Sequence, residues 1–318
     1  MVVMAAAGPG RIRRGSLATW LAVLGCLAAV DLAIAWVFVP RVLVPRFTPP
    51  GHVLRDVTRG HNLSVLFTLA ERRVAAAELS VALVGDSTVM RILLEPDRDR
   101  LSVQLANALA RRELEGRPAE VIEFGFYGLP AEEAAVVIAK ALAIGTDLVI
   151  YAMTPRIVCR LSRPATDAAR YALEWDVASR LGMGFAWRSF GPEALVASAV
   201  RSHWQLLRFR RELKAEIAQQ IALRLPQPWA AAVMVEPCLA PLLDEGGQRA
   251  GPLWTRERCQ LDQASAGVAA LTRIADMCGA TGRCLLYHGP VNPEARWNFE
   301  DGLLPEFIAL AQRLTSER

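Results

Sequence analysis

Val81-Ala82-Leu83-Val84-Gly85-Asp86-Ser87-Thr88 places a serine directly after a short apolar run and ahead of a helix-like stretch. A serine at the C-terminal tip of a buried parallel strand sits where α/β folds gather their reactive groups. Free N–H groups and the positive dipole end of a following helix would favour a developing oxyanion. Ser87 is therefore the candidate nucleophile, with acyl transfer as its chemistry. The same octet also fits a plain strand-to-helix turn, in which Gly85 permits the tight bend and Asp86 or Thr88 caps the helix. Other chemistries are poorly served. No Cys/His cluster has zinc-site spacing, and neither a G-x-G-x-x-G nor a Walker pattern follows a strand-like run. No cofactor or metal is expected.

The elements that must position Ser87 alternate from about residue 79 onward. Strand-like runs cover Leu79 to Val84, Val121 to Phe124, Leu148 to Met153 and Cys284 to Tyr287. Helical spacing fills Leu101 to Leu114, Ala131 to Ile144 and Pro305 to Leu314. Strands this apolar are buried on both faces, so the pattern predicts an α/β fold with a parallel sheet covered by helices. A helical insertion is expected over about 156–280, with helix-like stretches at 167–181 and 193–223. The second stretch carries Arg201, Arg208, Arg210, Arg211 and Lys214, a basic face that suits solvent, an anionic glycan or lipid headgroups.

The octet around Ser87 resembles the first block of the SGNH/GDSL hydrolases, and the order strand–serine, strand–glycine, strand–loop matches over about 79–160. The resemblance implies a three-layer α/β/α domain of flavodoxin-like type. It also implies an oxyanion hole in which Gly128, from Gly125-Phe126-Tyr127-Gly128, contributes a backbone N–H. The third block normally carries Gly-x-Asn-Asp; here the stretch is Ala152-Met153-Thr154-Pro155-Arg156, and Arg156 stands where donors would be needed. The family's general base comes from a C-terminal Asp-x-x-His block, and that block is absent.

The four histidines are His52, His61, His203 and His288. Only His288 lies at the C-terminal tip of a strand-like run, on the edge where a parallel sheet also puts Ser87, so it is the candidate base, with Asp301 following on a loop. The resemblance then implies a C-terminally shortened or degenerate member. It acts either as a serine esterase or O-acetyltransferase on an envelope or extracellular polysaccharide, or as a non-catalytic scaffold of the same fold. A membrane-bound O-acyltransferase is the protein partner that resemblance suggests.

Composition sets the surroundings. The 318 residues are 53% hydrophobic, with a formal charge of +4 and a positive mean hydropathy of +0.25. Aromatics are 7% and never interleave with basic tracts, so no nucleic-acid partner is expected. Leu17 to Val39 is an almost unbroken apolar run, preceded by Arg11, Arg13 and Arg14 and closed by Pro40 and Arg41. It is long enough for a signal anchor, and Trp20 and Trp36 stand near its ends as interfacial residues do. The expected layout is a cytoplasmic arm at 1–16, an anchor at 17–39, a connector at 40–78 and the α/β domain at 79–318. This places a single-pass protein in a bacterial inner membrane with its main domain periplasmic or extracellular. Asp31 inside the anchor suits either contact with a membrane partner or a tolerated neutral carboxyl. In an oxidising compartment Cys238–Cys259 and Cys278–Cys284 are the plausible disulfides.

Overall fold

The computed structural model describes residues 14–47, 53–55, 63–86, 89, 100–111, 119–126, 129–158, 172–224, 255–257, 259, 261–262, 265–288 and 299–316. Val53–Arg55 (β1), Leu79–Gly85 (β2), Ala119–Gly125 (β3), Leu148–Met153 (β4) and Cys284–His288 (β5) form one sheet. The order is β1-β3-β2-β4-β5, and every neighbouring pair is parallel. The α/β reading therefore holds.

The helices follow in chain order. Arg14–Ala33 is α1, Leu63–Ala76 is α2, Leu101–Arg111 is α3 and Ala131–Ala143 is α4. Trp175–Leu181, Met183–His203, Gln205–Arg208 and Arg210–Ala222 are α5, α6, α7 and α8; Ala266–Thr281 is α9 and Leu303–Ser316 is α10. Strand residues alternate between two unequal layers. Ala82, Val84, Ile122, Phe124, Val149, Tyr151 and Met153 face the main core with α2, α4 and α9. Leu83, Ile150 and Ala152 face a smaller cluster with Val89 and Leu101. Helices thus cover both faces, one thickly and one thinly.

Two elements came out of stretches that carry weaker patterns. The expected connector supplies β1, paired to β3, and α2, whose Phe67 stacks on Phe124 at 5.5 Å between centroids. The expected insertion ends before residue 265. Helix α9 is the crossover into β5, with Ser265 as its N-cap accepting from the Val268 N–H at 3.2 Å. Cys278–Cys284 joins the end of α9 to the start of β5, as expected. Cys259 is also disulfide-bonded, while Cys238 lies outside the described residues.

At the opposite end of the sheet from the β2 tip, Ser80 and Asp147 clasp β2 to β4. The Ser80 N–H and hydroxyl both donate to Asp147 Oδ2 at 2.8 Å. The Asp147 N–H lies 3.2 Å from both the Ser80 carbonyl and its Oγ.

Lys140 is buried on α4, at 3% exposure, and would be untenable alone. Its Nζ donates to Glu71 of α2 and to Glu174 ahead of α5, each at 2.6 Å. Arg208 of α7 closes the cluster, 3.7 Å from Glu71 and 3.6 Å from Glu174. Burial pulls the ammonium pKa down, but the two carboxylates outweigh that effect and hold it above its ordinary value.

The N-terminal helix is continuous from Arg14, with a π-helical stretch at Ile34–Leu43 and a last α-turn at Val44–Phe47. Pro40 explains the widening. It has no N–H, and its ring would collide with the carbonyl four residues back in an α-helix; the wider turn relieves both. Leu17–Leu43 is long and apolar enough to cross a membrane, so the anchor expectation holds in that respect. Ile34, Val39 and Leu43 are buried against the domain, while most residues before them are exposed. Asp31 has a partner within the chain: its Oδ1 accepts from the Leu206 N–H of α7 at 2.7 Å. Helix α6 breaks at Gly191, where φ is +76°, and Pro192 opens its second half.

Candidate functional site

Strand β2 lies between β3 and β4. The β2–β3 connection runs through α3 on the thin face, and the β3–β4 connection through α4 on the thick one. The chain therefore diverges at the C-terminal tip of β2, where open α/β sheets leave a crevice. Gly85 ends β2 at that point, and Asp86 follows it.

The tip is tightly built. A Cβ on Gly85 would overlap the Val89 side chain and press on Ala152 Cβ at 3.3 Å, so only glycine fits. The Gly85 carbonyl accepts from the Phe126 N–H at 3.0 Å, and the Asp86 carbonyl from the Val89 N–H at 3.0 Å. The Asp86 side chain is 3% exposed and accepts from Thr154 Oγ1 at 2.9 Å. The loops after β2 and β4 are thereby tied together.

Ser87 and Gly128 themselves lie outside the described residues. Their flanks are placed. Gly85 is in register with Gly125, so the two loops leave adjacent strand ends about 4.8 Å apart. Arg156 belongs to a 3₁₀ turn at Pro155–Val158, directly after Thr154. The sheet thus brings Gly85-Asp86, Gly125-Phe126 and Thr154 to one edge.

His288 shares that edge but stands apart. It pairs with Met153, and β4 separates β5 from β2, which puts it two strand spacings, about 10 Å, from the β2 tip. Its ring packs on Phe307 of α10 at 5.8 Å between centroids. Its Nε2 is buried and has no hydrogen-bond partner among the described residues. Asp301 sits in an exposed turn, where its carbonyl faces Arg256, itself held by Glu306 at 2.6 Å and Glu300 at 3.5 Å. His203 is exposed on α6, with Nδ1 3.0 Å from the Ala199 carbonyl; His52 and His61 lie outside the described residues.

Tyr151 is the group that motif reasoning passed over. It is fully buried in β4, its hydroxyl has no hydrogen-bond partner among the described residues, and it is the only polar side chain in Leu148–Met153. Burial, reinforced by the Asp86 and then the Glu132 carboxylates, pushes its pKa well above the usual tyrosine value. The hydroxyl therefore stays protonated at neutral pH and is available as a donor. That single oxygen in an otherwise apolar strand is the signal that could have drawn attention to it.

The described residues hold no grouping of three His, Cys, Asp or Glu side chains suited to a metal ion. No protein-family model matches this chain, and no curated protein matches it. The described residues place a buried carboxylate, Asp86, at the switch-point crevice, close enough to the neutral Tyr151 phenol to reinforce the rise that burial gives its pKa.

Proposed function

We infer that the chain is a membrane-anchored serine esterase or O-acetyltransferase of SGNH type that acts on an envelope or extracellular polysaccharide. The observation that carries this reading is the position of Gly85-Asp86, which directly precede Ser87 in the chain, at the divergence point of a parallel sheet. In the proposed chemistry Ser87 Oγ gives its proton to the base and attacks an ester carbonyl, and the Gly128 N–H and Arg156 receive the oxyanion. The alcohol leaves with that proton as the acyl C–O bond breaks. Water or a sugar hydroxyl, deprotonated by the same base, then takes the acyl group and frees Ser87. His288 is the proposed base. The apolar helix at 17–43 supports anchoring, and the Cys278–Cys284 bond suits a domain outside the cytoplasm. A membrane-bound O-acyltransferase is the proposed source of acyl groups.

The test is fluorophosphonate labelling of the detergent-solubilised full chain, beside Ser87→Ala and His288→Ala. Labelling that disappears in both variants supports the enzyme. An unlabelled wild type overturns it.

A second reading draws on His288. A ring stacked on Phe307, with its Nε2 buried and unpaired, suits a packing role better than a base. Under that reading the chain is a non-catalytic scaffold or binding protein of the same fold in a polysaccharide assembly. A Ser87→Ala strain that keeps its polysaccharide acetylation level supports the scaffold; loss of acetylation supports the enzyme.

A further inference from the structure

The helical segment from Trp175 to Arg224 has a surface unlike that of a solvated insertion. Trp175 is 65% exposed, Trp187 56% and Trp204 40%. On the second half of α6, Val196 and Val200 are exposed four residues apart on one face, and Trp204, the residue that ends the helix, is exposed next beyond them. Ile217, Ile221 and Leu223 are exposed at the end of α8. Tryptophan is normally well covered, yet every tryptophan among the described residues is exposed, and all lie either here or on the apolar N-terminal helix. Charge follows the same segment. It holds eight basic and four acidic residues, so its excess equals the +4 of the whole chain and the remainder balances. Arg180, Arg188, Arg210, Lys214 and Arg224 are exposed.

The segment is also fixed beside the apolar helix. Asp31 Oδ1 holds the first turn of α7 through the Leu206 N–H at 2.7 Å. Asp31 lies five residues before Trp36, or about 7–8 Å along the helix axis. If Trp36 marks the bilayer interface, the α6–α7 corner lies at the depth where surface-lying amphipathic helices bury their apolar faces, roughly 5–10 Å. Exposed tryptophans, an apolar stripe, a basic excess and attachment at that depth describe one ligand, an anionic bilayer surface.

We propose that residues 175–224 form a second membrane contact, seated in the headgroup–acyl boundary beside the N-terminal helix. Val196, Val200 and Trp204 enter the boundary, and the arginines meet anionic headgroups. The proposal rests on the reading that the N-terminal helix crosses the membrane with Trp36 at one interface.

The test uses the full chain in vesicles of phosphatidylcholine and phosphatidylglycerol, with nitroxide labels read for accessibility to oxygen and to a water-soluble nickel chelate. Native Cys26, exposed on the N-terminal helix, reports the span. Val200→Cys and Trp204→Cys, each in a Cys26→Ser chain, report the segment; Gln312→Cys on the exposed side of α10 reports water. Labelled Cys26→Ser protein supplies the background. The expected result is that oxygen access exceeds nickel access at Val200→Cys and Trp204→Cys, as at Cys26, with the ratio inverted at Gln312→Cys. Nickel access at both segment sites, with Cys26 still in lipid, overturns the proposal and leaves the anchor intact. Shielding of both sites from both reagents means a protein covers the stripe, which also overturns it. Nickel access at Cys26 overturns the spanning reading itself.

Discussion

Replacing Lys140 with methionine keeps most of the side-chain volume and removes the cation that Glu71 and Glu174 share at 2.6 Å. Removing one partner of a buried ion pair costs about 3–5 kcal/mol, because the other charge stays buried. Two features lower that figure here. Glu71 is 35% exposed and can recover water, and Arg208 remains 3.6–3.7 Å from both carboxylates. The expected loss is about 2–3 kcal/mol, which for a domain of this size lowers Tm by roughly 5–10 °C. Thermal unfolding of the detergent-solubilised chain reads it directly. The pH dependence adds a second check. The folded ammonium has a raised pKa, so its stabilisation is complete below the unfolded value of 10.5 and declines as pH rises through the folded one. The gap between wild type and K140M should therefore be constant from neutral pH to about 10 and close at higher pH. A Tm change under about 1 °C, or a gap that widens with alkali, would refute the account of the cluster.

Three further outcomes follow from the same geometry. Gly85→Ala must displace Val89 or Ala152, so it should cost about 1–3 kcal/mol in denaturant unfolding and abolish fluorophosphonate labelling. Tyr151→Phe removes a buried hydroxyl without a partner among the described residues; its stability should change by less than about 1 kcal/mol, and the alkaline loss of stability above the ordinary tyrosine pKa should become shallower, as read by pH-dependent unfolding. Asp31→Ala frees the first turn of α7, so it should cost about 0.5–2 kcal/mol and speed proteolysis between His203 and Arg210 in limited digestion.

The sheet was legible wherever a strand stood out as an apolar block between polar punctuation. Leu148–Met153 was read with the bounds it has, because Asp147 and the Thr154-Pro155 pair bracket it. Helix α2 was hidden behind the proline- and glycine-broken stretch before it, although Leu63, Leu66, Phe67, Ala70 and Val74 already carried helical spacing. Helix α9 was absorbed into the insertion for the same reason, its stripe being diluted by alanine and glycine. The strand ends that precede Ser87, Gly128 and Arg156, and the one that carries His288, were readable as the ends of apolar runs, whereas Gly128 and Arg156 themselves came from the family resemblance. What was not readable depends on contacts distant in sequence: Asp86 meets Thr154 across 68 positions, and Asp31 meets Leu206 across 175. His288 could be assigned to an edge but not to a depth, because its cover, Phe307, belongs to a helix that follows later in the chain.

The clasp between Ser80 and Asp147 acts as a rivet at the far end of the two central strands. From Ser80 to Asp86 is six residues, about 20 Å of extended chain. Over that length the strands behave as stiff levers, and side chains change face at every step. A slip of one position at the rivet would turn Tyr151 out of the main core and disturb the bond between Asp86 and the Thr154 hydroxyl. The alignment of the strand ends at one rim is thus indexed by a serine and an aspartate at the other, and a change there would be felt as a misaligned rim before it was felt as a lost fold.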